Sequence, residues 1–133
     1  MSTHAASYAA VTSVSSSLGG AVVSGFVTGG DVGDADVVEI NEAFAAQVLA
    51  VMKCLADPAS ARRAGLEAPL GELDPSKVNP CGGAIALGHP VGATGARLVQ
   101  TALHQLHATD ARKAIVSLCI GGGQGMAACL EVI

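Results

Sequence analysis

The stretch Ala114-Ile115-Val116-Ser117-Leu118-Cys119-Ile120-Gly121-Gly122-Gly123-Gln124-Gly125-Met126 decides the fold. Its first six residues are a near-continuous apolar run, the pattern of a strand covered on both faces. A glycine-rich turn follows, and Met126 to Ile133 returns as a second strand, so the pair predicts a hairpin. Upstream, residues 92–107 place Leu98, Val99, Ala102, Leu103 and Leu106 on one helical face. Further upstream, Asp36 to Ile40 reads as a short buried strand. Asn41 then reads as the N-cap of a helix, with Glu42 as first-turn negative charge. Phe44, Val48, Val51, Met52 and Leu55 form the apolar face of that helix, and Pro58 stops it. Strands alternating with amphipathic helices predict an α/β fold, a mixed sheet with packed helices.

The flanking segments are less regular. Residues 1–20 are rich in Ser and Ala and read as an unassigned, disordered tail ahead of one domain over 21–133. Ala21 to Thr28 is β-branched and aromatic and reads as a strand. Residues 59–75 form a connector with one short helix near Ala61 to Ala64. Val78 to Ala86 starts as a strand and dissolves into glycine turns.

Composition narrows the functional classes. The chain has 133 residues, of which 50% are hydrophobic and only 14% charged, enough for one domain with its own core. A net charge of −4, with scattered Lys and Arg, argues against a general nucleic-acid binder. No apolar run is long enough for a membrane span. Cys54, Cys81, Cys119 and Cys129 form no Cys-x-x-Cys pair, which argues against a zinc site or a redox motif. Residues 1–30 contain no Lys or Arg for a secretory signal, so the thiols are read as reduced in a cytoplasmic setting.

Three features can carry chemistry. Consecutive glycine N–H groups after Cys119 can approach a developing oxyanion closely, although a glycine cluster by default is only a turn. Cys119, at a strand end facing that loop, is placed to exchange protons, whereas an isolated thiol is more often inert packing. Cys54, Cys81 and Cys129 lack that setting and read as packing residues. His89 precedes Pro90 and the start of a helix, whose positive end suits an uncharged imidazole acting as a base. His104 and His107 lie on a helix and read as solvated. Asn41 reads first as a cap, and second as an amide at a strand's carboxyl end, where ligand sites in α/β sheets collect. Gly88-His89-Pro90-Val91-Gly92-Ala93-Thr94-Gly95 lacks the Gly-Lys-Ser/Thr ending of a phosphate-binding loop.

These residues also carry a family resemblance. Asn41-Glu42-Ala43-Phe44, then Gly82-Gly83-Ala84-Ile85-Ala86-Leu87-Gly88-His89-Pro90-Val91-Gly92-Ala93-Thr94-Gly95-Ala96-Arg97, then Cys119-Ile120-Gly121-Gly122-Gly123-Gln124-Gly125 resemble the C-terminal half of thiolases. The resemblance runs from about Asp34 to Ile133 and implies an incomplete C-terminal half of a thiolase-like fold. It implies chemistry on acyl-CoA thioesters, with coenzyme A as carrier and no metal or permanently bound cofactor. By resemblance His89 is the base that activates a cysteine nucleophile and faces the thioester oxygen. Asn41 holds a water that completes this first oxyanion site. Cys119 exchanges the α-proton, and the Gly121 N–H helps form a second oxyanion site.

Two departures qualify the resemblance. The family's nucleophilic cysteine belongs to an N-terminal half, and none of the four cysteines here has its context. The expectation is therefore no turnover by this chain alone, a separate N-terminal half as partner, and self-association through an uncovered apolar face. A non-catalytic acyl-CoA binder and a functionless truncated product are the alternatives. In addition, only Asp31 to Ala35 separate the strand ending near Gly30 from the strand at Asp36, too few for a parallel crossover. Those two strands cannot be joined in the family's usual way.

Overall fold

A computed structural model of the chain describes the backbone of residues 6–9 and all of residues 31–132. The strand expected at Ala21 to Thr28 lies outside the described residues, as does most of the tail. The elements run β1 (Ala6–Ala9), β2 (Val37–Ile40), α1 (Ala45–Ala56), α2 (Pro58–Arg63), α3 (Ala84–Leu87), α4 (Thr94–Thr109), β3 (Lys113–Gly121) and β4 (Gln124–Val132). Single 3-10 turns at Val32–Asp34 and Pro75–Lys77 complete the path. The sheet order is β1-β4-β3-β2. β2 runs parallel to β3, and the β3–β4 and β4–β1 pairs are antiparallel, so the sheet is mixed.

The apolar run of β3 has the expected cause. Alternate residues serve two cores, one on each side of the sheet. Ile115 packs with Val38 and Ile40 of β2 and with Val48, Val51 and Leu55 of α1. Ala114 and Val116 pack with Val37 and with Leu98, Ala102 and Leu106 of α4. A strand sandwiched between helices has no solvent face to mark with polar residues. The hairpin closes through Gly122 and Gly123, with φ of 60° and 74°. Two successive left-handed residues make the tight turn whose twist suits a hairpin, and glycine adopts them without strain.

Four local expectations need correction. Asn41 does not cap α1. Its N–H donates to Ser117 O at 2.8 Å, extending the parallel ladder one step past Ile40. The chain is therefore still extended at Asn41, and α1 begins only after Phe44, which has no side-chain cap bond. Phe44 accordingly stands 74% exposed instead of joining the apolar face of α1. Pro58 ends α1 but also starts α2 as its first residue. Asp57 caps α2 by accepting from Ser60 N and Ser60 Oγ, each at 2.7 Å. The strand expected from Val78 shrinks to one parallel bridge with Val38. Asn79 turns the backbone left-handed at φ 46°, and Pro80 then has no N–H for a ladder.

Leu98 is 1% exposed and lies at the centre of the α4–sheet contact. Leu98→Ala should lower unfolding stability by about 2–5 kcal/mol, read as a shift of the urea midpoint.

Candidate functional site

The parallel pair β2–β3 defines one edge of the domain. Ile40 is in register with Ser117, so Asn41 and Cys119 both lie at the carboxyl ends of neighbouring strands. The first turn of α4 reaches the same edge. A Cβ placed on Gly95 would lie 3.7 Å from Leu118 Cδ1. His89 sits just ahead of that turn, and its Nδ1 lies 2.7 Å from Thr94 Oγ1. Arg97 Nη1 donates to Gly88 O at 2.6 Å, tying the loop that carries His89 back onto α4. Gly121 ends β3 at φ 105°, next to an irregularity in the β3–β4 register between Cys119 and Gly121. All four residues thus belong to loops or strand ends at one edge, His89 exposed and Cys119 half-buried.

They do not approach it from one direction. Val37 and Val116 face α4, and Val38 and Ile115 face α1. Alternation carries Leu118 to the α4 side and Cys119 to the opposite side. Cys119 thus lies on the face of the sheet opposite to α4, whose N-terminal turn carries the loop of His89.

Asn41 is 1% exposed, and among the described residues neither its Oδ1 nor its Nδ2 has a hydrogen-bond partner. Leaving a buried polar group unpaired costs about 1–3 kcal/mol. Its neighbour Glu42, expected as helix first-turn charge, is committed elsewhere. It accepts from Asn79 Nδ2 at 3.0 Å and from Ile85 N at 2.9 Å. The carboxylate thereby joins the end of β2 to the start of α3. Gly83 is needed there, because a Cβ would stand 2.1 Å from the Glu42 carboxyl carbon.

Sequence reading missed Glu39. This carboxyl is 1% exposed on β2 and accepts from Gln105 Nε2 at 2.8 Å. Burial pushes it up to about 7 from an ordinary 4.5. The Gln105 bond and the Arg97 charge oppose the rise, and the Glu42 charge adds to it. The available signal was a lone acid inside Asp36-Val37-Val38-Glu39-Ile40, a strand already read as buried.

Of the remaining cysteines, Cys129 packs against the core as expected, and the other two need correction. Cys54 and Cys81 are exposed rather than packed, Cys54 on the outer side of α1 and Cys81 in the turn after Pro80. Cys129 is half-buried, and burial pushes its thiol up. All four cysteines are free. His104 and His107 are exposed, as expected for a solvated helix face. A separate groove of about 980 Å³ lies along α4, β3 and β4, lined by Val99, Leu103, Leu118, Met126 and Ala128. None of the four site residues lines it. It is an apolar surface that adjoins the polar edge at Gly95 and Leu118. Among the described residues, no helix is long and apolar enough to cross a membrane.

The fold and edge together define an α/β domain that presents an amide, an imidazole and a thiol around the carboxyl ends of parallel strands. Comparison with known proteins gives the family. The model of the thiolase C-terminal domain matches residues 21–132, and the chain belongs to the thiolase family through that domain. It is 51% identical over 102 residues to the beta-ketothiolase BktB of Cupriavidus necator, covering 77% of this chain and 22% of that protein. It is 48% identical over 103 residues to the acetyl-CoA acetyltransferase of Paracoccus denitrificans, again covering 77% and 22%. The crystal structure of the Bacillus anthracis acetyl-CoA acetyltransferase superposes with a TM-score of 0.58 at 41% identity, covering 77% of this chain and 22% of that one. The chain therefore corresponds to about a fifth of each of these relatives.

Glu39 gives the site a pH signature. A carboxyl held above its unfolded value favours the folded state while protonated. That contribution is full below about 4.5 and is lost as pH rises to about 7. Within this window stability should fall by up to about 1.4 kcal/mol per pH unit. Glu39→Gln should flatten the decline, as checked by urea unfolding at pH 5 and pH 8.

Proposed function

We propose that this domain supplies the acid–base and oxyanion groups of a thiolase, acting on acetyl-CoA and 3-ketoacyl-CoA thioesters. The observation that carries the reading is Asn41: a buried carboxamide at a strand's carboxyl end, with both polar atoms unpaired among the described residues. A fold that bears this cost at a strand end needs a partner for the amide. A water or a substrate oxygen provides one.

In this reading a cysteine thiolate of the N-terminal half attacks the thioester carbonyl, after His89 has taken its proton. Asn41, through a bound water, and His89 together stabilise the charge that develops on the carbonyl oxygen. His89 returns its proton to coenzyme A, which leaves as the thiol as its carbon–sulfur bond breaks, and the acyl group stays on the cysteine. Cys119 then removes the α-proton of acetyl-CoA. The resulting enolate, stabilised by the Gly121 N–H, attacks the acyl carbonyl; the carbon–carbon bond forms, the acyl–sulfur bond breaks, and the cysteine of the N-terminal half leaves as the thiolate while Cys119 holds the α-proton. Thiolysis runs the same steps backwards, with Cys119 returning the proton.

The nucleophile must come from outside the residues matched here. The apolar groove beside α4 suits the packing of an N-terminal half. Met126 is 54% exposed there, although an apolar side chain of that size is ordinarily covered. Without that cover the same surface favours self-association. Free thiols at the surface fit a reducing, cytoplasm-like compartment.

Mixing the chain with the N-terminal half of a related thiolase should generate thiolysis activity that neither part has alone. His89→Ala or Cys119→Ala should lower that activity by about 10²-fold or more. Full thiolysis by the chain alone, or a reconstituted enzyme indifferent to both substitutions, would refute the reading. Acyl-CoA binding by the chain without reconstitution would support a non-catalytic binder instead.

A further inference from the structure

Thr94 has no part in the roles assigned so far, yet it is 0% exposed and touches the imidazole directly. Its Oγ1 lies 2.7 Å from His89 Nδ1 and 3.0 Å from Pro90 O. A hydroxyl has one hydrogen and can donate to only one of these. If it donates to Nδ1, a single bond forms and the contact to the carbonyl lacks a proton. If it donates to Pro90 O, its lone pair faces Nδ1 and accepts an Nδ1–H, so two bonds form. This second arrangement also follows the known habit of helix threonines to bond a carbonyl four residues back. It stays unchanged when the ring gains a proton, because a protonated imidazole also donates from Nδ1.

We propose that Thr94 is a positioning residue that fixes His89 as the Nδ1–H tautomer and leaves Nε2 as the nitrogen that takes and returns protons. An imidazole free in water carries no such constraint, and a neighbour bonded to one ring nitrogen decides which of the two is basic. Pro90 contributes as well. Its carbonyl already accepts from Ala93 N at 2.8 Å and Thr94 N at 2.9 Å, so the acceptor of the relay is held in the turn that leads into α4. The relay His89 Nδ1–H, Thr94 O–H, Pro90 C=O thus anchors the ring to a helix. The catalytic meaning of the tautomer rests on the thiolase reading of His89, but the tautomer itself does not.

Long-range 1H–15N correlation on the 15N-labelled chain at pH 8 reads both ring nitrogens, and the His89 signals are those lost in His89→Gln. The expected spectrum has Nδ1 in the protonated range and Nε2 in the unprotonated range. Thr94→Val should shift His89 toward Nε2–H, and Thr94→Ser should keep the original tautomer. Predominant Nε2–H in the unsubstituted chain would overturn the proposal, as would an unchanged tautomer in Thr94→Val. If Thr94→Val fails to fold, the spectra of the unsubstituted chain and of Thr94→Ser still decide. No step depends on turnover, so loss of the thiolase reading would show in the reconstitution assay and leave the tautomer result standing.

Discussion

Asn79 closes β2 on the side away from β3. Its Oδ1 accepts from Ile40 N at 2.8 Å, and its Nδ2 donates to Ile40 O at 2.9 Å. One side chain thereby satisfies the donor and acceptor that a further strand would otherwise pair. The backbone N–H of Asn79 adds a bond to Val38 O at 2.8 Å. Exposed or unpaired, these groups would leave the end of β2 free to fray or to pair elsewhere. With Asn79 on one flank and β3 on the other, the end of β2 is fixed from both sides. Asn41 is the next residue, so its placement follows.

The same carboxamide extends its hold to Glu42, and Glu42 holds the start of α3. From α3 the chain passes Gly88, which Arg97 ties to α4, and reaches His89, which contacts Thr94. The amide of Asn41 and the imidazole of His89 are thus connected through backbone and side-chain bonds that engage the imidazole only at Nδ1 and leave the Asn41 amide out. Rigid support from neighbouring residues, with His89 Nε2 and the Asn41 amide left for a ligand, is the arrangement catalysis by positioning requires. Glu39 sits beneath this edge as a buried acid paired, among the described residues, with the neutral amide of Gln105. That leaves the interior below Asn41 sensitive to pH.

The β3 run was legible because burial on both faces imposes a composition that no half-exposed strand shows. The apolar stripe of α4 was equally legible, and its observed start at Thr94 differs little from the expected one. Asn41 reads first as a cap because Asn is a favoured N-cap residue; the bond to Ser117, 76 positions later, has no local trace. Asn79 was not noticed at all. Its role depends on the path of the chain from Asp74 to Gly82, where Val78 promised a strand and a left-handed turn cut it short. His89 and Cys119 were recognised by residue type and by their glycine neighbours. That they reach the edge from opposite sides of the sheet required the register.

Native-state hydrogen exchange at Ile40 and Asn41 tests the central claim most directly. Their amides bond to Asn79 Oδ1 and Ser117 O, so both should be protected nearly as well as the core of α4. Asn79→Ala should speed exchange at Ile40 and Asn41 while Leu98 and Ala102 stay protected. Rapid exchange of Ile40 and Asn41 in the unsubstituted chain, or no local change in Asn79→Ala, would contradict the account.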